Sequence, residues 1–274
     1  MARMVGFTRI IRLLWLNKTI ELAGEGLEPV QMREELEEYL KFEISSDPTQ
    51  RKTCEILLLP WVAEDAALET LRPKALELAV SHPYELLAVH WGMLVVAFPM
   101  FGDLVRLIGK MCEYQDEFTA AQLKLKILDE WGVRSTVVKG SEKMLASLNA
   151  IGVIQRVKQG RYMLAPRVDA DEELSLFLLH ADMLAYQSGY RAYSELQALP
   201  ELFPFVLHAS KERLVEDARF SIGNFGREFT VSLGRGKTHL SIYRLCQPSY
   251  ELRDIRRVVW ISEAQVFQRA GTSE

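Results

Sequence analysis

The sequence predicts a mainly α-helical protein of the α+β class, with an N-terminal helical bundle and a C-terminal helical domain that carries a β-hairpin. Three observations predict it. Apolar residues recur at helical spacing through most of the chain, proline and glycine separate these runs, and strand-like alternation is confined to short stretches after residue 150. A chain of 274 residues with 49% apolar and 26% charged residues is typical of a folded globular protein.

Proline and capping signals place the helices of the N-terminal domain, predicted over residues 1–116. Asp47-Pro48 is a start signal, because aspartate can accept hydrogen bonds from free N–H groups and proline fits the first turn. The helix that follows is expected to stop at Pro60, since proline removes a helical hydrogen bond. Pro73 and Pro83 are each expected to open a further helix.

The segment 117–168 is predicted to begin with two helices joined by a tight turn. The first is expected to end near Trp131-Gly132. Ser135 can cap the second, and Gly152 suits its C-terminal stop. Apolar residues follow helical spacing in both helices. They are Phe118, Leu123, Ile127 and Leu128 in the first, and Val137, Val138, Met144, Leu145, Leu148 and Ile151 in the second.

After the second helix the apolar period changes to that of strands. Residues 153–157 and 161–164 form two short strand-like runs, and Lys158-Gln159-Gly160 supplies the turn between them. A helix, a tight turn, a second helix and a β-hairpin are the order of elements in a winged helix. We therefore predict a winged-helix-type module over 117–168, and no strand before residue 150.

The C-terminal α+β domain is predicted over residues 169–274. It should begin with a long helix from Asp171 to about Leu199. Residues 229–233 and 240–242 then alternate around a glycine-rich turn and are expected to form a β-hairpin.

Charge is distributed unevenly along the chain, whose formal net charge is −4. Residues 21–47 hold nine acidic and two basic residues, a net charge of −7, alternating with apolar positions as on a solvated helix face. Residues 119–168 hold nine basic and three acidic residues, a net charge of +6. A basic segment in an acidic protein is an electrostatic footprint of polyanion binding, so double-stranded DNA is the expected partner.

The second helix and the hairpin of the 117–168 module supply the expected DNA contacts. The major groove is about 12 Å wide and admits one α-helix, whose lysines can neutralise phosphates and whose hydroxyls can donate to phosphates or base edges. Gly140 would let the backbone approach DNA closely. No Asn or Gln lies near the helix start, so we expect phosphate-driven binding with modest sequence preference. The predicted contact residues are Arg134, Thr136, Lys139, Lys143 and Ser147 on the helix and Arg156, Lys158 and Arg161 on the hairpin.

The sequence contains no motif for catalysis, a cofactor or a metal. No histidine pair has the H-E-x-x-H spacing, and none lies beside a cysteine at zinc spacing. Neither Asp-x-Lys nor Glu-x-Lys, typical of restriction-type nucleases, occurs. We therefore expect a non-enzymatic protein without a cofactor. A metal-dependent nuclease built around Asp217, Glu228, Glu251 or Asp254 is kept as an alternative.

Cysteine usage and hydropathy bear on the compartment. Cys54, Cys112 and Cys246 are too scattered for a disulfide framework, which favours a reducing compartment. The most apolar run, Leu86–Phe101, is shorter than the ~20 residues that a membrane-spanning helix needs. We predict a buried core helix there, a cytoplasmic protein and no membrane partner.

Three stretches resemble the BrxA proteins of bacterial BREX phage-defence systems. Asp47-Pro48-Thr49-Gln50-Arg51-Lys52 opens a helix after an acidic helix, and Val80-Ser81-His82-Pro83-Tyr84 opens the apolar helix that follows. Residues 135–154, with Leu145-Ala146-Ser147-Leu148, resemble the final helix of that family and its entry into a strand. The resemblance covers about residues 10–168, and residues 169–274 extend beyond it. It implies a non-enzymatic accessory of a defence system that acts on DNA beside larger protein subunits.

The function expected from these patterns is that of a DNA-binding accessory or regulatory protein. This hypothesis rests on the basic segment, which coincides with the helix–turn–helix–hairpin pattern. One alternative is a scaffold that docks other proteins through the acidic N-terminal region and the C-terminal domain. The nuclease is the second alternative.

Overall fold

The computed structural model describes residues 6–226 and 228–234 and shows the mainly helical α+β fold that the sequence predicts. The N-terminal half contains α1 (Leu13–Gly24), α2 (Pro29–Leu40), α3 (Asp47–Val62), α4 (Ala66–Ser81), α5 (Leu86–Ala97) and α6 (Pro99–Cys112). It is followed by β1 (Glu117–Thr119), α7 (Ala120–Trp131), α8 (Ser135–Ile151), β2 (Ile154–Lys158), β3 (Arg161–Leu164), β4 (Val168–Ala170) and α9 (Glu172–Tyr186). The last described elements are β5 (Arg191–Ala192), 3₁₀ turns at Tyr193–Ala198 and Pro200–Leu202, β6 (Phe205–Leu207), α10 (Lys211–Glu216), β7 (Phe220–Phe225) and β8 (Glu228–Leu233).

Two prolines expected at helix boundaries lie inside helices. Pro60 lies within α3, which continues to Val62, and Pro73 lies within α4. Asp65 opens α4 instead, because its carboxylate accepts hydrogen bonds from the N–H groups of the first turn. Proline removes one helical hydrogen bond, and the burial of apolar side chains along both helices offsets that loss. The predicted stop at Pro60 and start at Pro73 are therefore wrong.

The apolar run Leu86–Phe101 forms α5 and the start of α6, as buried core helices. α5 is buried along its length, and α6 leaves it at a bend of 117° after Phe98. Among the residues that the structure describes, no single helix has both the length and the apolar character to cross a membrane. The bent pair α5 and α6 meets those criteria only jointly, by length and composition.

A three-stranded antiparallel sheet closes the segment 117–168. Its strand order is β1–β3–β2, so the strand before α7 pairs with the second strand of the hairpin. Phe118 lies in β1, and its ring stacks on Tyr162 of β3 at a centroid distance of 5.8 Å. The predictions that Phe118 belongs to the first helix and that no strand precedes residue 150 are wrong, because β1 is defined by a partner far along the chain.

The long helix expected from Asp171 to Leu199 is shorter. α9 ends at Tyr186, and the next residue, Gln187, takes a left-handed conformation with φ of 47° that no regular helix contains. The chain then pairs β5 with β8 and continues into the 3₁₀ turns. Tertiary contacts therefore determine the path of this region, although its apolar residues have helical spacing.

A buried ionic cluster joins α9 to those turns. The guanidinium of Arg191 lies 2.7 Å from a carboxylate oxygen of Asp182 and 2.8 Å from one of Glu201. Both acids are buried, so two carboxyl groups share a single cation away from water. Burial, and then the neighbouring Glu201, raises the pKa of Asp182 well above its usual value. The backbone carbonyl of Glu201 also accepts a hydrogen bond from Nε1 of Trp91 at 2.9 Å.

The strand predicted at 229–233 is confirmed as β8. Its described partners are β7, which precedes it in an antiparallel hairpin, and β5. The partner predicted for it, residues 240–242, lies outside the described residues.

One continuous cluster of buried apolar side chains extends from Phe7 to Val231. The helices of the N-terminal half, the segment 117–168 and the part of 169–274 that is described all contribute to it. The predicted boundaries at 116 and 168 stay predictions, and the segments on either side of them share a core.

Candidate nucleic-acid interface

Local capping fixes the two helices of the candidate interface. Thr119 and Gln122 form a capping box at the start of α7, in which the Thr119 hydroxyl accepts from the Gln122 N–H at 3.1 Å and Gln122 Oε1 accepts from the Thr119 N–H at 2.8 Å. Gly132 follows α7 with φ of +78°, a conformation that favours glycine. The guanidinium of Arg134 donates to the carbonyl of Trp131 at 2.9 Å and closes the turn before α8.

A second set of contacts holds the end of α7 against α6. Arg106 donates to Asp103 at 3.1 Å and to Glu130 of α7 at 2.9 Å. The indole N–H of Trp131 donates to the other oxygen of Asp103 at 3.1 Å. The turn that positions α8 is therefore anchored on the core helix α6.

The inner face of α8 is covered by the segment that precedes α1. A Cβ at Gly140 would lie 3.1 Å from Cε of Met100 and 3.7 Å from the carbonyl oxygen of Phe7. The hydroxyl of Ser147 is fully buried, accepts from the N–H of Ile11 at 3.0 Å and donates to the Lys143 carbonyl at 2.8 Å. The expected exposure of Gly140 and Ser147 to DNA is wrong, because residues 6–11 lie against that side of the helix.

The outer face of α8 carries three of the predicted contact residues. Thr136, Lys139 and Lys143 are exposed and lie on one stripe, at positions i, i+3 and i+7. Within the described residues, neither lysine forms an ion pair. Glu142, next to this stripe, faces Lys124 of α7 at 3.5 Å instead.

The hairpin presents the other predicted basic residues. Arg156 and Lys158 lie on β2, are exposed, and form no ion pair within ranges 6–226 and 228–234. The β2–β3 register is irregular between them, and Gly160 closes the turn with φ of +71°. Arg161 is exposed as well, and its guanidinium lies 3.2 Å from the carboxylate of Glu117 on β1. Arg161 is thus partly neutralised, whereas Arg156 and Lys158 are not.

Two features of this region are missed by the sequence interpretation. Val133, in the turn between α7 and α8, is 86% exposed although it is apolar. A cavity of about 280 Å³ lies between residues 6–8, Met100 and the first two turns of α8. The position of Val133 directly after Gly132 and before a helix start is a signal that could have indicated its exposure.

The acids considered for a nuclease do not converge in the part of the chain that the structure describes. Burial alone would raise the pKa of Asp217, but hydrogen bonds and charge from Arg219 lower it. Glu228 accepts from the Ser194 hydroxyl at 2.9 Å. No group of three or more His, Cys, Asp or Glu residues that could hold a metal ion is found among the described residues. Glu251 and Asp254 lie outside them.

Comparisons with models of known protein families, with curated proteins and with solved structures find no match to this chain.

Proposed function

We propose that this protein is a non-enzymatic accessory or regulatory protein that binds double-stranded DNA through residues 117–168, and we infer that this segment is a winged-helix module. The order β1–α7–α8–β2–β3 and the pairing of β1 with β3 support the inference. α8 has 17 residues and is about 25 Å long at 1.5 Å per residue, which suits a helix lying in the major groove.

Among the residues that the structure describes, Lys139 and Lys143 have no ion-pair partner, and this unbalanced positive charge carries the proposal. Like charges four residues apart on a helix repel each other at a cost of about 0.2–0.5 kcal/mol. A carboxylate beside the two lysines would reduce that repulsion, but the neighbouring acid, Glu142, faces α7 instead. A polyanion bound along the outer face of α8 would turn the repulsion into attraction. Arg156 and Lys158 add two further cations on the hairpin.

A mobility-shift titration across salt concentrations tests the proposal. If Lys139, Lys143, Arg156 and Lys158 each neutralise one phosphate, the log–log salt slope should be about −3.6, at about −0.9 per contact. Affinity should then fall roughly 150-fold between about 50 and 200 mM salt. Absence of a shift of duplex DNA at low salt would refute the proposal.

Charge-reversal variants distinguish DNA binding by the outer face of α8 from a general effect of the protein's net charge. The double variant Lys139→Glu/Lys143→Glu should abolish the shift. The matched control Arg51→Glu/Lys52→Glu changes the net charge equally on exposed positions of α3 and should leave most of the affinity intact. Equal loss in both doubles would show that binding does not use α8. Both variants alter exposed side chains, so circular dichroism should show unchanged folding.

We further propose that this DNA binding serves phage defence beside larger protein subunits. The support is the resemblance of residues 10–168 to the BrxA family. A host that restricts phage should lose restriction when the gene is deleted, regain it with the wild-type gene, and not regain it with Lys139→Glu/Lys143→Glu. Full restriction without the gene, or with the double variant, would overturn this role.

A further inference from the structure

The start of α8 and the turn before it present methyl-bearing side chains to solvent. Val133 is 86% exposed in the turn that enters the helix, and Thr136 is exposed at the second helical position. Both precede Lys139 and Lys143 along the helix. The helix therefore offers apolar groups at its N-terminal end and cations one and two turns later.

Hydrogen-bonding groups of the kind that identify single bases are scarce at this end. No Asn, Gln, Asp or Glu occurs between Gly132 and Lys139. The exposed guanidinium of Arg134 donates one hydrogen bond to the Trp131 carbonyl at 2.9 Å, and its other N–H groups can still donate to a phosphate or a base. Beside Arg134, the exposed residues at this end are Val133, Ser135 and Thr136, whose side chains carry only methyl groups and hydroxyls.

Among the four base pairs, the apolar group displayed in the major groove is the C5-methyl of thymine. We propose that Val133 and the γ-methyl of Thr136 contact thymine C5-methyl groups in the major groove, which gives the protein a preference for thymine-containing sites. This inference rests on the proposed DNA binding. Lys139 and Lys143 would bind phosphates beside the groove, and the positive end of the helix dipole would face the DNA, so the N-terminal end of α8 enters the groove first.

Replacing thymine by deoxyuridine tests the contact, because it removes the C5-methyl and keeps the base pair. Two pools of A·T-rich duplexes with the same random sequences, one with thymine and one with deoxyuridine, are compared by mobility shift. Burying one methyl group contributes enough to change affinity by about fourfold, so the deoxyuridine pool should bind about fourfold more weakly for each methyl contacted.

Two valine variants assign the effect to a residue. Val133→Ala should lower the thymine-to-deoxyuridine affinity ratio by about fourfold, and the double variant Val133→Ala/Thr136→Ser should bring the ratio close to one. Val157→Ala is the matched control, since Val157 is a half-exposed valine on the hairpin of the same module, and it should leave the ratio unchanged. Val133 is largely in solvent and Val157 is half-exposed, so neither variant should unfold the protein, which thermal melts will check.

The outcomes distinguish this inference from the function on which it rests. Salt-dependent DNA binding with equal affinity for the two pools would overturn the methyl contact and leave the proposed function standing. A ratio lowered by Val157→Ala but not by Val133→Ala would also overturn it. Absence of DNA binding to either pool would remove the proposed function itself.

Discussion

The close packing of α6 against the 3₁₀ turn Pro200–Leu202 makes Gly109→Ala a sharp test of the fold. A Cβ at Gly109 would lie 2.0 Å from the carbonyl oxygen of Pro200, 2.6 Å from its carbonyl carbon and 2.8 Å from its Cα. All three are backbone atoms. Side-chain rotation cannot relieve the overlap, so the main chain of the turn or of the helix must move.

The expected loss of stability depends on the contacts that the 3₁₀ turn makes. Overpacking of a core contact typically costs about 1–3 kcal/mol. Movement of the turn also weakens the buried hydrogen bond from Trp91 to the Glu201 carbonyl, which contributes about 1 kcal/mol. The higher helix propensity of alanine offsets up to about 1 kcal/mol. We expect Gly109→Ala to lower the free energy of unfolding by about 2 kcal/mol.

Urea denaturation followed by tryptophan fluorescence measures this change, and Gly140→Ala is the matched control. The new methyl of Gly140→Ala would meet Cε of Met100 at 3.1 Å, the far end of a flexible side chain. The free energy of unfolding should then be unchanged or rise by up to about 1 kcal/mol. The packing argument fails if Gly109→Ala is as stable as the wild type, or if both variants lose the same stability.

Four further substitutions test buried polar groups. Burial lowers the pKa of His90 to about 3 from 6.5, so the stability that the neutral imidazole contributes is complete above pH 6.5 and falls as the pH drops toward 3. His90→Gln should make the free energy of unfolding less dependent on pH, as measured by urea titrations at several pH values. An unchanged pH dependence in the variant would contradict this prediction. Arg191→Met should lower the free energy of unfolding by about 3–5 kcal/mol, because it leaves two buried carboxyl groups without their cation. Asp182→Asn should lower it by less than about 1 kcal/mol, because the raised pKa of Asp182 favours the neutral carboxyl group that an amide resembles. Thermal melts in which Asp182→Asn is the less stable variant would refute this account of the cluster. Ser147→Ala should cost about 1–3 kcal/mol, since it leaves the Ile11 N–H without its acceptor, and mobility shifts should show no specific loss of DNA affinity.

The helices and the hairpin of the segment 117–168 were predictable because their signals are local. The Gly132 and Gly152 stops, the apolar positions of α8 and the turn at Gly160 all act within a few residues of the element that they define. The structure places α7, α8 and the hairpin near the predicted bounds for that reason.

β1 was not predictable from its own residues. A three-residue strand has too few positions to show an alternating pattern, and Glu117 is paired with Met163 far along the chain. The end of α9 was missed for a related reason. Residues after Tyr186 keep apolar spacing, but pairing of β5 with β8 and the attraction of Arg191 to buried acids favour another path.

The outward side of α8 was only partly predictable. Gly140 and Ser147 are small, and a helix pattern alone does not tell whether small residues face solvent or a close neighbour. The neighbour is the segment 6–11, which lies more than a hundred residues earlier in the chain. Thr136, Lys139 and Lys143 were assigned correctly to the exposed face because long charged and polar side chains are rarely buried without partners.

The sequence alone determined the helical class, the two helices and hairpin after residue 117, and the concentration of basic residues there, because periodicity, caps and charge are properties of neighbouring residues. Only the tertiary structure decided which side of α8 is covered and which of the described basic residues have ion-pair partners. Those depend on contacts between residues distant in the chain, whose geometry local patterns do not encode.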